Sequence, residues 1–195
     1  KVAHLDPLTD TFREWAIPTP NSGPAGLALT IISGSLAVFG TESASGKLFL
    51  FFPSTGVFKE YTLPEGSVPQ HISIERPGTE IRGWFTDLKA NSVGEIIYYP
   101  DSGTARLFQV ALPASAGGGA RGVHASSGIV WFAATNAIVK LDRAANQFTT
   151  WTIPSHPSTQ AAFVDVDASG QVWYTSTSLG TASMYDYVGV LRTNN

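Results

Sequence analysis

The chain has 195 residues, enough for one domain or two small ones, and a formal net charge of −3. Charged residues are only 14% of the total, so it lacks the concentrated basic field that a nucleic-acid or membrane-surface binder needs. With 43% hydrophobic residues and no cysteine, bulk disorder, disulfides, thiol catalysis and thiolate metal sites are excluded, and no apolar run approaches the roughly 20 residues of a membrane span.

In chain order, the first predicted strand is Val2 to Asp6, running into the turn Leu5-Asp-Pro-Leu-Thr-Asp10. The phrase Phe12-Arg-Glu-Trp15-Ala-Ile-Pro18 follows. A degenerate second-strand phrase sits near Val38-Phe39, and the apolar run Leu48 to Phe52 ends in the turn Phe51-Phe-Pro-Ser-Thr-Gly56. Phe58-Lys-Glu-Tyr61-Thr-Leu-Pro64 then repeats the phrase of residues 12–18. The next unit reads Pro69-Gln-His-Ile72, Trp84-Phe-Thr-Asp87, Tyr99-Pro-Asp-Ser-Gly103 and Leu107-Phe-Gln-Val110-Ala-Leu-Pro113. The third holds Trp131-Phe-Ala-Ala134, Leu141-Asp-Arg-Ala-Ala-Asn146 and Phe148-Thr-Thr-Trp151-Thr-Ile-Pro154. The last holds Trp173-Tyr-Thr-Ser176 and a strand from Tyr187 to Arg192. The closing prolines are 46, 49 and 41 residues apart, and the second-strand tryptophans 47 and 42.

Four short apolar runs per 40–50 residues, punctuated by Gly, Pro, Asp and Asn, are the pattern of a β-propeller blade. The sequence therefore predicts an all-β propeller of four-stranded blades, with about four blades in one domain over residues 1–195. The units run over about 1–46, 47–94, 95–137 and 138–189, plus a terminal strand 190–195. Proline closes the outer strand because it cannot donate to a ladder. Arg13, Glu14, Lys59 and Glu60 charge that outer edge against sheet-to-sheet association. The chain begins and ends in a third strand, so Thr11 to Pro18 is expected to complete the last blade and close the ring. The other arrangement is an arc of a larger propeller, completed by a second copy in a homodimer or by further sequence.

These phrases resemble the virginiamycin B lyase (streptogramin lyase) family. Its repeat passes from Pro-His-Gly-Ile through Trp-Phe-Thr-Glu to Phe-x-Glu-Tyr-x-Leu-Pro. The resemblance implies a propeller, usually of seven blades, and a carbon–oxygen lyase that opens a streptogramin B ring ester with a histidine base and Mg near the central opening. The family's histidine slot falls here on Ala25, Gln70, Arg121 and Ala162, and the closing acid of Trp-Phe-Thr-Glu on Asp87, Ala134 and Ser176. His71 sits one place after the slot, which in a regular strand turns its side chain to the opposite face.

His71 and His124 lie on first strands, which line the channel of a propeller; the preferred reading of each is a hydrogen-bonded structural histidine, and they are also the two candidate general bases. With Gln70, Glu75, Arg121 and Asp165 they form a candidate ligand-binding ring at the channel mouth, where an arginine is suited to a carboxylate. Trp84, Trp131 and Trp173 read as packing between blades. Asp165, Asp167 and Ser169 lack the late bidentate Glu of a calcium loop and read as turn-shaping residues; no metal site is predicted. The preferred function is a secreted or periplasmic, non-catalytic binding or scaffold propeller for a small molecule or carbohydrate, with no cofactor, nucleic acid or membrane as partner. The alternative is the Mg-assisted lyase.

Overall fold

A computed structural model describes residues 1–89, 91–153, 159–178 and 187–191 of the chain. It is a β-propeller of antiparallel blades, about four in number. β1 (Val2–Asp6) and β2 (Thr11–Trp15) form a hairpin. β3 (Pro24–Ile32), β4 (Ser35–Glu42), β5 (Lys47–Phe52) and β6 (Val57–Thr62) form the first full blade. β7 (Pro69–Glu75), β8 (Ile81–Asp87), β9 (Ser92–Tyr99) and β10 (Thr104–Ala111) form the second. The third comprises β11 (Gly122–Ser126), β12 (Ile129–Ala133), β13 (Ala137–Asp142) and β14 (Gln147–Thr152), and one 3-10 turn at Ala114–Ala116 precedes it. β15 (Thr159–Val166), β16 (Val172–Ser178) and β17 (Tyr187–Leu191) form a three-stranded last blade. The first strands β3, β7, β11 and β15 pack side by side in that order.

The middle strands of the full blades are apolar on both faces because each of these blades is covered by a neighbour on both sides. β9 is buried over seven of its eight residues, whereas the outer strand β10 alternates between exposed and half-buried positions. Four apolar clusters mark the contacts. Phe49 and Phe51 meet Trp15 of the hairpin; Phe39 and Leu48 meet Ile72 and Ile96; Trp84 meets Val130 and Phe132; Trp131 and Ile138 meet Val172 and Tyr174. Hydroxyls of β4 and β8 stitch neighbouring blades. Thr41 Oγ1 accepts from the Gly26 N–H at 2.8 Å and donates to the Gln70 carbonyl at 2.7 Å. Thr86 Oγ1 repeats this between the His71 N–H at 3.1 Å and the Arg121 carbonyl at 2.7 Å.

The repeat length expected from sequence matches the sheets, but its phase does not. The boundary at 46/47 falls between β4 and β5, within one blade, because the sheets break after the outer strand rather than after the second. The expected closure is also overturned. β2 pairs with β1 alone, and β17 pairs with β16 alone. The apolar residues Val2 and Trp15 draw the hairpin onto Val38, Phe49 and Phe51, so it caps the first full blade instead of completing the last. Among the described residues the propeller is therefore an open arc.

The tryptophan positions follow from this. Trp84 and Trp131 are 3% and 7% exposed, each covered by the next blade, as their spacing predicted. Trp173 occupies the same place in the last blade, where no further blade covers it, and is 42% exposed. The packing role expected for it is not met.

Candidate functional site

The four first strands, with β16 and β17, line an open cavity of about 450 Å³. The register explains what reaches it. Leu29, Ser73, His124 and Asp165 each lie opposite the second-strand residue of their blade, Val38, Trp84, Trp131 and Trp173 respectively. All four first-strand residues line the cavity, with Phe163, Trp173 and Val188 supplying apolar wall at its open side.

A smaller recess of about 170 Å³ adjoins it, sharing His71 and Phe163. Its remaining lining is Ala25, Gln70, Arg121 and Ala162, the four positions that the repeat aligns with one another. Gln70 and His71 are consecutive and both border this space, but their side chains leave β7 on opposite faces, as the one-residue offset predicts: Gln70 Nε2 reaches Ser43 of the first full blade, and His71 Nδ1 the Val123 N–H of the third. β7 bulges from its ladder with β8 between Pro69 and Ile72, which brings both residues to the rim of the recess. β3 and β15 break register at the equivalent places.

Two histidines meet the cavity in different states. His71 Nδ1 accepts from the Val123 N–H at 3.5 Å, which leaves the ring proton on Nε2. Burial holds its pKa below the ordinary histidine value, so the ring is neutral at pH 7. The contact belongs to a series: Ser73 Oγ accepts from the Ala125 N–H at 3.0 Å, and Glu75 Oε2 from the Gly128 N–H at 3.0 Å. β7 thus serves the outward N–H groups of the third blade with alternate side chains. His124 instead has Nδ1 at 2.7 Å from Asp165 Oδ1, which in the neutral ring leaves the lone pair on Nε2.

Of the predicted ring, Gln70, His71, Arg121, His124 and Asp165 are brought to the two connected spaces. Glu75 is not. It is buried between blades, and its other oxygen, Oε1, accepts from Trp84 Nε1 at 3.2 Å. Arg121 is half-buried, and its Nε and Nη2 donate at 2.8 and 2.9 Å to the side-chain oxygen of the buried Gln160, with the amide oriented to allow it. Asp167 shapes its turn. Its Oδ1 accepts from the Ser169 and Gln171 N–H groups, and its Oδ2 from Trp173 Nε1 at 2.8 Å. Hydrogen bonds from Ser169 and Trp173 hold its pKa down at about 2.

Leu29, Ser73, Phe163 and Gln160 were not singled out from sequence. Ser73 and Phe163 were within reach, since they sit three and one residues past their aligned slots, as His124 and His71 do; Leu29 sits four past its slot, one out of step. Gln160 had no signal, because its partner lies across a blade boundary.

No protein-family model and no curated protein matches the chain. Solved structures do. One of virginiamycin B lyase from Staphylococcus aureus, substituted with selenomethionine, matches with TM-score 0.70 and 21% identity over 99% of this chain and 63% of that one. A catalytically inactive variant of that lyase, with quinupristin, matches with TM-score 0.69 and 21% identity over 93% and 59%. A nidogen/laminin complex matches with TM-score 0.60 and 16% identity over 89% and 66%. The chain spans about three fifths of the lyase chains it matches. At these identities the likeness extends to the propeller fold.

Proposed function

We propose that this chain is a binding propeller that takes a small amphipathic molecule into the groove of its first strands. The observation that carries the reading is the two-sided lining of the 450 Å³ cavity: Leu29, Phe163 and Trp173 against His71, Ser73, His124 and Asp165. That volume lies in the range of about 300–1,000 Å³ typical of small-molecule sites, and mixed apolar and polar lining is their usual chemistry. A carbohydrate is one version, with the Trp173 indole, fixed by Asp167, as a stacking face. The low charge supports a secreted or periplasmic setting, and no helix among the described residues is long and apolar enough to cross a membrane. Ligand-observed NMR against a panel of aromatic acids, amides and oligosaccharides tests the reading. Binding that weakens in Trp173→Ala is expected; a panel with no binder, or binding indifferent to this change, refutes it.

One observation favours a second reading, that of a carbon–oxygen lyase. His124, held by Asp165, has the free Nε2 that a general base for an elimination requires. Asp165 orients the ring and would stabilise its imidazolium. The residues do not fit a magnesium ion at the same place. Asp165 is the one carboxylate on the cavity and is engaged by His124, and no group of three His, Asp or Glu side chains gathers among the described residues. The proton step is therefore assigned to His124 alone. Incubation with a streptogramin B distinguishes the readings: ring opening that is lost in His124→Ala supports the lyase, and an unchanged ring supports binding.

A further inference from the structure

We infer that the recess beside the groove is a carboxylate subsite, so that the ligand class is an acid with an apolar body. This rests on the groove-binding reading above. Three observations carry it. First, among the described residues no Asp or Glu lies within ion-pair distance of Arg121, and none lines the recess. Second, the guanidinium is held in place. Gln160, 5% exposed, takes Nε and Nη2 through a neutral oxygen, which fixes the plane without cancelling the charge and leaves the remaining donors of the fork unassigned. Third, two more polar side chains line the recess. The Gln70 amide lies on it, with Nε2 donating to Ser43 Oγ at 3.1 Å, and His71 keeps its proton on Nε2.

The dimensions limit the group that enters. At about 170 Å³ the recess accepts a few heavy atoms, with Ala25 and Ala162 leaving the space open. The rest of the ligand continues past His71 and Phe163, which both spaces share, onto the apolar wall of the larger cavity. An aryl-alkanoic acid has this shape: a planar anion for the arginine fork and a ring for Phe163 and Trp173.

The test uses 3-phenylpropionate and its uncharged analogue 3-phenylpropionamide, titrated into the 195-residue chain with ligand-observed NMR. The acid is expected to bind about tenfold more tightly than the amide, as for hydrogen bonds to a charged group. Arg121→Met should abolish that preference. Because loss of the Gln160 contact can disturb the fold, Ala162→Leu provides a second route: it fills the recess, keeps the arginine, and should also remove the preference. Equal binding of acid and amide to the unaltered chain, or a preference that survives both substitutions, overturns the subsite while leaving the groove intact. Binding of neither compound overturns the groove reading and this one with it.

Discussion

Gly94 on β9 lies directly under the ring of Phe85 on β8, its partner in the ladder. A Cβ at Gly94 would fall inside the van der Waals surface of that ring. The same pairing joins Gly189 to Tyr174 and, with the strands exchanged, Gly40 to Phe49. Each aromatic side chain thus folds flat over a neighbouring strand, and blades approach closely.

Gly94→Ala should therefore destabilise the chain by about 3 kcal/mol, the upper range for overpacking a core. Gly34→Ala is the comparison. A Cβ there meets nothing within 4 Å, but φ is +78°, so only backbone strain of about 1 kcal/mol is expected. Urea unfolding of both variants measures the difference; equal losses would show that the Phe85 ring yields to an added methyl group.

The fold was legible because packing residues repeat. Trp84 and Trp131, and the prolines that close the outer strands, recur at blade spacing. Ring closure was not legible, because whether β2 joins β17 or lies on Phe51 depends on the angle between blades, which no local pattern encodes. In the site, spacing placed Gln70, His71, Arg121, His124 and Asp165 on first strands. The one-residue offset of His71 was legible too, since its side chain leaves the strand on the face opposite Gln70. Spacing misjudged Glu75, which lies on the same strand but faces the backbone of the next blade.

Stability should depend on pH through His71. Burial lowers its folded pKa below the unfolded value of about 6.5. Between those two values the unfolded chain binds more protons, so stability rises with pH and is lost as pH falls below about 6.5. Glu42 and Glu95 act in the opposite sense. Burial raises their pKa, the folded chain binds more protons just above the usual carboxylate range, and stability falls as pH rises through that window. His71→Gln isolates the histidine. The stability difference between the unaltered chain and this variant should change between pH 7 and pH 5, with the unaltered chain losing more; a constant difference would refute the assignment.

The hairpin tests the open arc. If β2 closed a ring, removing it would open every blade contact in turn. It instead covers Val38, Phe49 and Phe51 at one end. Deleting residues 1–15 should cost about 2–4 kcal/mol from the apolar surface uncovered, and leave a cooperative unfolding transition at lower urea. Loss of that transition would mean that the hairpin is integral to the whole sheet array.

The three tryptophans at equivalent places give the last test, since their sequence context is alike and only the neighbour differs. Trp84 sits against Val123, Val130 and Phe132 of the next blade, and Trp131 against Ile153, Val164 and Val172. Trp173 has a strand partner on each side, Asp165 and Val190, and an indole hydrogen bond to Asp167, but its outer face meets no blade. Replacing a buried tryptophan with alanine costs about 3–5 kcal/mol, because transfer and cavity terms add. Trp84→Ala and Trp131→Ala should fall in that range. Trp173→Ala leaves no enclosed cavity and should cost about 1 kcal/mol or less. Urea unfolding of the dilute chain reads all three. A Trp173→Ala loss as large as the others would show that this face is covered in solution, and that the arc described here is closed by something packed on Trp173, Val188 and Val190.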